Sequence, residues 1–407
     1  MENYINRTEP DYRWEPTKVL NEAWGTIAHY KLVSQKWRGH VWTHHLVIVR
    51  PCSIRNPDIA FLKISGDGDI KNQINSLKIL AERSGAVTAV LMNVPNQPFY
   101  EGRCEDALIA YTFKQYLKTG DETWPLLFPM VKSAVKAMDA IQDIVKLEHK
   151  QQINRFVVNG ASKRGWATWL AAAVDKRITA IAPMVIGTLN IKAQLHWSEQ
   201  IYGKQSTKLK DYTELNLHRN VGNEAMQKLR NWIDPYAYIH RFTMPKLLLL
   251  GTNDPFWTVD SLRHYWHDLP EPKLIYQTPN AGHDLNGGDQ ALQTLAAFLE
   301  LIADHKPLPK IAWKFNNVAN THINVQIDSN EPVGTISLWS THSDDLDFRN
   351  NQWTAQKLNI TRDSSHAKTS IPLPHSGYQA YLMEVELKTD TGHPYKLSTQ
   401  VQVSPDT

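Results

Sequence analysis

Between residues 59 and 303, short apolar runs alternate with longer stretches of helical periodicity, and this rhythm restricts the possible folds more than any other feature of the chain. Ile59-Ala60-Phe61-Leu62-Lys63-Ile64, Val87-Thr88-Ala89-Val90-Leu91-Met92 and Arg155-Phe156-Val157-Val158-Asn159 read as strands. Residues 70–84, 105–118, 126–148 and 163–174 read as helices, the third with Val131, Ala134, Val135 and Met138 at helical spacing. Further strands fall within 178–186, 246–250 and 273–277, the last two each followed by helical pattern. Strands and helices alternating at this pitch predict βαβ units, and hence an α/β fold with a doubly wound, mostly parallel sheet. Ahead of them, residues 31–35 and 41–49 flank a turn at Arg38-Gly39-His40, a hairpin that supplies an antiparallel edge.

Two segments depart from the rhythm. Residues 188–240 are polar with helical tendencies and too long for a plain connection, which predicts an inserted helical cap. Lys306-Pro307-Leu308-Pro309-Lys310 then marks a break. Beyond it, runs such as His322–Ile327, Thr335–Trp339, Tyr381–Leu387 and Leu397–Val403 alternate by two between turn residues. The reading is a first domain over 1–306 and a β-sandwich of immunoglobulin-like size over 310–407.

Composition narrows the partners. The chain has 44 basic and 41 acidic residues, a formal +3, too balanced to argue for nucleic acid or an anionic membrane. No apolar run approaches the ~20 residues of a bilayer span. The first seven residues lack the basic and apolar regions of a secretory leader. Two cysteines, Cys52 and Cys104, make one bridge at most. No zinc or P-loop motif occurs, so neither a metal nor a cofactor is implied, and Asp344, Asp345 and Asp347 read as a solvated loop. The 14 tryptophans raise the prior for an aromatic-lined pocket.

The chemistry concentrates at Asn159-Gly160-Ala161-Ser162-Lys163-Arg164-Gly165-Trp166. An apolar strand runs into glycine, a serine follows two residues later, and a helix begins at once. That is the context of a nucleophile elbow, in which small neighbours permit a strained turn and the helix N-terminus aims N–H groups at the reacting oxygen. The usual second glycine of G-x-S-x-G is displaced by one, with Arg164 in its place. Asp254 lies just past the strand at 246–250, and His283 lies in the loop after the strand at 273–277. The order serine, acid, histidine suits Ser162 as nucleophile, His283 as base and Asp254 as its orienting partner. The backbone N–H of Lys163 is the expected first oxyanion donor, and Gly66 or Asp67 the second. Glu101, Arg103, Trp166, Trp197 and Trp257 are candidate substrate contacts, although Glu105 and Asp106 beside them read foremost as first-turn acids of a helix.

These residues carry a resemblance. Ser34-Gln35-Lys36-Trp37 with Trp42-Thr43-His44-His45, then Glu105-Asp106-Ala107-Leu108-Ile109-Ala110-Tyr111-Thr112, and above all Gly160-Ala161-Ser162-Lys163-Arg164-Gly165-Trp166, resemble the PhoPQ-activated pathogenicity-related proteins (PqaA type) of the α/β-hydrolase superfamily. The resemblance runs over nearly the whole chain. It implies a serine hydrolase with an appended β domain, often exported. It also makes the displaced glycine a family trait. A similar G-x-S-x-x-G elbow in glucuronoyl esterases implies that Lys163 adds positive charge at the oxyanion site. A small-molecule or peptide substrate is expected, with a peptidase and a carbohydrate or lipid esterase both open, and a non-enzymatic binding or signalling protein on the same scaffold is the rival.

Overall fold

A computed structural model describes residues 1–215, 223–318, 321–359 and 365–405. The N-terminal part is built on one nine-stranded sheet. Its strands are β1 (Arg13–Glu22), β2 (Gly25–Trp37), β3 (His40–Pro51), β4 (Ile59–Ile64), β5 (Val87–Leu91), β6 (Arg155–Ala161), β7 (Ile178–Met184), β8 (Lys246–Gly251) and β9 (Lys273–Thr278). They lie in the order β1-β2-β3-β5-β4-β6-β7-β8-β9. The first three pair antiparallel, and β3 meets β5 antiparallel. From β5 to β9 every pairing is parallel. The central strands are buried on both faces, as their continuous apolar runs require.

Helices cover both faces. A short α1 (Glu2–Ile5) precedes α2 (Ile70–Ser84), α3 (Glu105–Thr119), α4 (Leu127–His149) and α5 (Lys163–Val174). Leu77, Leu80 and Ala81 of α2 pack with a later helix, α9 (Asp289–Ala303), on one side, while α3, α4 and α5 fill the other. A buried ion pair, Arg83 to Glu300 at 3.1 Å, ties α2 to α9. The segment between β7 and β8 holds α6 (Ile191–Tyr202), α7 (Lys210–Glu214) and α8 (Glu224–Ile233), with 3-10 turns at Thr207–Leu209 and Pro235–Arg241. This is the expected cap, and it sits over the carboxyl end of the sheet. No described helix is long and apolar enough to cross a membrane.

After Ala303 the described residues form antiparallel sheets. One contains β10 (Ile311–Val318), β11 (His322–Ser329) and β14 (His366–Pro372). The other contains β12 (Thr335–Ser343), β13 (Thr354–Lys357), β15 (Tyr378–Lys388) and β16 (Pro394–Ser398), with β17 (Gln402–Ser404) on β15. The arrangement is that of a β-sandwich. Its apolar side chains, Val325, Ile336 and Val385 among them, are continuous with the α2/α9 core.

Two local readings need correction. Strand β1 (Arg13–Glu22) lies ahead of the hairpin at 31–35 and 41–49 that the sequence suggests. Its residues are almost all exposed and include Pro16, so it carries no alternation to detect, as is usual for an edge strand. The stretch after β8 has only a 3-10 turn at Ser261–His264 where a helix is expected. Pro255, Pro270 and Pro272 punctuate it, and proline removes the N–H donors a helix needs.

Candidate active site

Strand β6 ends at Ala161 and α5 starts at Lys163, so Ser162 alone makes the turn. Its backbone takes φ 57° and ψ −126°, a region that L residues rarely occupy and that costs of order 1–3 kcal/mol. The turn is held by hydrogen bonds from Ser162 N–H to Met184 O at 2.9 Å and from Trp166 N–H to Ser162 O at 2.9 Å. The glycine spacing has a steric cause. A Cβ on Gly160 would lie 2.5 Å from the Arg164 carbonyl oxygen, and one on Gly165 would lie 2.9 Å from the Gly160 oxygen and 2.7 Å from Ile186. Close approach is needed at 160 and 165. Position 164 faces elsewhere and tolerates arginine.

Asp254 and His283 come from the loops after β8 and β9, adjacent strands. His283 Nδ1 lies 2.8 Å from Asp254 Oδ2, and Asp254 Oδ1 accepts the Phe256 N–H at 2.9 Å. The two loops are sewn together by Asn253 N–H to Ala281 O at 2.9 Å and Asn280 N–H to Thr252 Oγ1 at 2.9 Å. Gly251 permits this, since a Cβ there would lie 2.3 Å from the Ala281 oxygen. The Phe256 ring lies over the imidazole with centroids 4.3 Å apart. An Nδ1–H donated to the carboxylate leaves Nε2 as the basic nitrogen. Nε2 is buried and makes no hydrogen bond with the described residues.

The connection between β12 and β13 braces these loops. Asn253 Nδ2 donates to the Arg349 and Asn351 carbonyls at 3.1 and 2.8 Å, and Asn280 bonds the Trp353 backbone through both ends of its amide.

Ser162 and His283 line one cavity, of about 110 Å³, whose walls are otherwise mainly apolar. Trp166 and Trp257 line it too, with Trp166 fixed by its indole N–H on the Ile233 carbonyl. Trp197 takes another role: its indole N–H bonds Asp260 at 3.1 Å and its ring lies under Arg263. Glu101 and Arg103 pair with each other at 2.7 Å, and Arg103 lies over the Tyr111 ring; neither is among the residues lining the cavity. Gly66 and Asp67 are likewise absent from the lining. Gly66 packs against the Arg164 guanidinium, and the Asp67 carboxylate accepts from Asn93 Nδ2 at 2.7 Å. Cys52 and Cys104 are both free thiols.

The network beneath the elbow is not evident from sequence. Arg164 donates two bonds to the Glu105 carboxylate, each 2.6 Å, and a third to the Val94 carbonyl at 2.5 Å. Lys163 Nζ lies 3.0 Å from Glu105 and 2.9 Å from Asp106, so its charge is balanced by two carboxylates. Burial would raise Glu105, but the Arg164 hydrogen bonds and charge, with Lys163, hold it down to about 2. Asp106 also accepts the Tyr212 hydroxyl at 2.9 Å, a link from the cap to the base of the site. Burial pushes that phenol well above its usual range, with Asp106 acting in the same direction. Glu105 and Asp106 do open α3, as expected of first-turn acids, and the register of their partners is what sequence alone hides.

A mostly parallel sheet with a cap after its central strands, a strained serine at a strand–helix junction and an acid–histidine pair on the following loops define the α/β-hydrolase fold class. Two solved structures share it. Acetyl xylan esterase from Paenibacillus sp. R4 superposes with a TM-score of 0.53 at 12% identity, covering 72% of this chain and 90% of that one. Acetyl xylan esterase 1 from Thermoanaerobacterium sp. JW/SL YS485 gives 0.51 at 16%, over 72% and 92%. Residues 1–349 match the PhoPQ-activated pathogenicity-related protein family, and the chain belongs to it. A curated relative, autocrine proliferation repressor protein A of Dictyostelium discoideum, is 29% identical, with 100% of this chain and 90% of the relative aligned.

Proposed function

We propose that this protein is a serine hydrolase that cleaves an ester or amide of a small molecule or peptide through an acyl-enzyme on Ser162. The observation that carries the reading is the 2.8 Å Asp254–His283 contact, with Nε2 unpaired among the described residues and His283 lining the cavity that Ser162 also lines. In this reading His283 takes the Ser162 proton as Oγ attacks the carbonyl carbon. It then gives that proton to the leaving group as the tetrahedral intermediate collapses. A water molecule repeats the exchange and frees the acid product. Asp254 holds the imidazole tautomer and stabilises its protonated form. The Lys163 N–H, at the first position of α5, receives the oxyanion. Chemistry at the serine is supported by the strained Ser162 backbone, a conformation kept only where the surroundings enforce it.

The test is labelling by an alkyl fluorophosphonate in the folded protein. Wild type should label at Ser162, and Ser162→Ala should not label while unfolding at nearly the same denaturant concentration. Folded wild type that stays unlabelled contradicts the reading. The name of the Dictyostelium relative, an autocrine proliferation repressor, supports a second reading in which the scaffold signals without turnover. Under that reading Ser162→Ala retains the biological effect.

A further inference from the structure

The cavity beside Ser162 is roofed by one face of α8. Met226, Leu229, Arg230 and Ile233 all line it, at the i, i+3, i+4, i+7 spacing of a single helical stripe. Three of the four are buried apolar residues, and the fourth is an arginine. Five ionisable side chains line the cavity: Asp106, Lys163, Tyr212, Arg230 and His283, of which Tyr212 donates to Asp106 at 2.9 Å. Asp106 and Lys163 pair with each other at 2.9 Å, and His283 pairs with Asp254 at 2.8 Å. Arg230, half-buried, makes no hydrogen bond or ion pair with the described residues. Its neighbour in charge is Asp234, one turn on. That carboxylate is already taken by the N–H groups of Asn190, Ile191 and Tyr236, at 3.1, 2.8 and 2.9 Å. Burial pushes the guanidinium below its ordinary range, which Asp234 offsets in part.

A guanidinium offers five donors in a fixed fork and cannot shed its proton to escape burial. Its nitrogens are not among the buried unpartnered atoms, so water solvates them in the free protein, and no described side chain claims them. A ligand carboxylate would satisfy it with two parallel bonds. We propose that Arg230 is the specificity residue of the site and binds a carboxylate on the substrate. The substrate is thus an ester or amide with a short apolar body that bears an anionic group remote from the scissile carbonyl. The inference rests on the serine-hydrolase reading for the reaction, while the anion preference stands on the cavity itself. A cavity of about 110 Å³ limits the enclosed group to a short apolar chain, since ~150 Å³ of apolar cavity holds one benzene.

Two fluorophosphonates of equal, short chain length test this, one ending in methyl and one in carboxylate. Wild type should label at Ser162 about tenfold faster with the carboxylate probe, the scale of one charge-assisted bond. Arg230→Met should lose that preference, with the ratio of the two labelling rates falling to about one, because methionine fills the apolar helix stripe without offering a donor. Arg230→Lys should fall between them. Equal labelling by both probes in wild type, or a preference that survives in R230M, overturns the proposal. A second readout is independent of turnover. Trp166 and Trp257 share the cavity, so hexanoate should change tryptophan fluorescence saturably in wild type, with hexanol much weaker and R230M unresponsive. If neither probe labels Ser162, the hydrolase reading fails, and the hexanoate titration alone decides the role of Arg230. A hexanoate response no stronger than that of hexanol overturns it.

Discussion

Replacing Glu105 with glutamine removes the charge on which the elbow's two basic residues converge. Of its two acceptors on residue 105, Arg164 then keeps one and loses the other, and an amide NH2 is left facing a guanidinium or the Lys163 ammonium. A hydrogen bond to a charged group contributes about 1.5–3 kcal/mol. One of the two Arg164 bonds survives in weaker form, and the Glu105 side chain is 37% exposed, so screening trims the remainder. The expected loss is about 2 kcal/mol near neutral pH. The pH dependence supplies a sharper check. Glu105 sits at about 2 in the fold against an ordinary 4.5, so its contribution is complete above about 4.5 and is lost as pH falls toward 2. Urea unfolding of wild type and E105Q, followed by tryptophan fluorescence, should therefore show a gap at neutral pH that closes on acidification. A gap of the same size at both ends of that range, or none at neutral pH, would refute the network as described.

Other outcomes follow from the same geometry. Ser162→Gly should be more stable than Ser162→Ala by about 1 kcal/mol, since glycine accepts φ 57° but pays some chain entropy; equal urea midpoints would show that Ser162 stores no strain. Gly66→Ala places a methyl group 2.2 Å from the Arg164 Nη2, an atom pinned by Glu105, and should cost about 1–3 kcal/mol. That cost should shrink in the E105Q background, where Arg164 can yield, and strict additivity in the double-mutant cycle counts against the coupling. Asp254→Asn should reduce kcat by about 10³–10⁴ on any ester that wild type turns over, measured at saturating substrate, with little change in far-UV circular dichroism.

What sequence could and could not reveal divides by the range of the interactions. Strand β4 and helix α5 fall on the residues their patterns mark, because a buried apolar run and a glycine-bounded helix start are local signals. The order Ser162, Asp254, His283 is readable for the same reason: each follows its own strand. The exposed β1 edge has no such signal. Lys163 and Arg164 meet Glu105 only after α3 folds against the elbow, about sixty residues away in sequence. Trp197 and Trp257 look alike in composition, yet only Trp257 faces the cavity while Trp197 serves Asp260. Arg230 is the instructive omission. Its place among Met226, Leu229 and Ile233 at helical spacing is visible in the sequence, but what that stripe faces is decided by the cap's docking.

The most direct measurement is a crystal structure of the protein after reaction with a fluorophosphonate. The account predicts a covalent bond from phosphorus to Ser162 Oγ, with a phosphonyl oxygen about 3 Å from the Lys163 N–H nitrogen and His283 Nε2 within hydrogen-bond reach of the adduct. An adduct on another residue, or an imidazole turned away from Ser162 with its Asp254 contact broken, would contradict it.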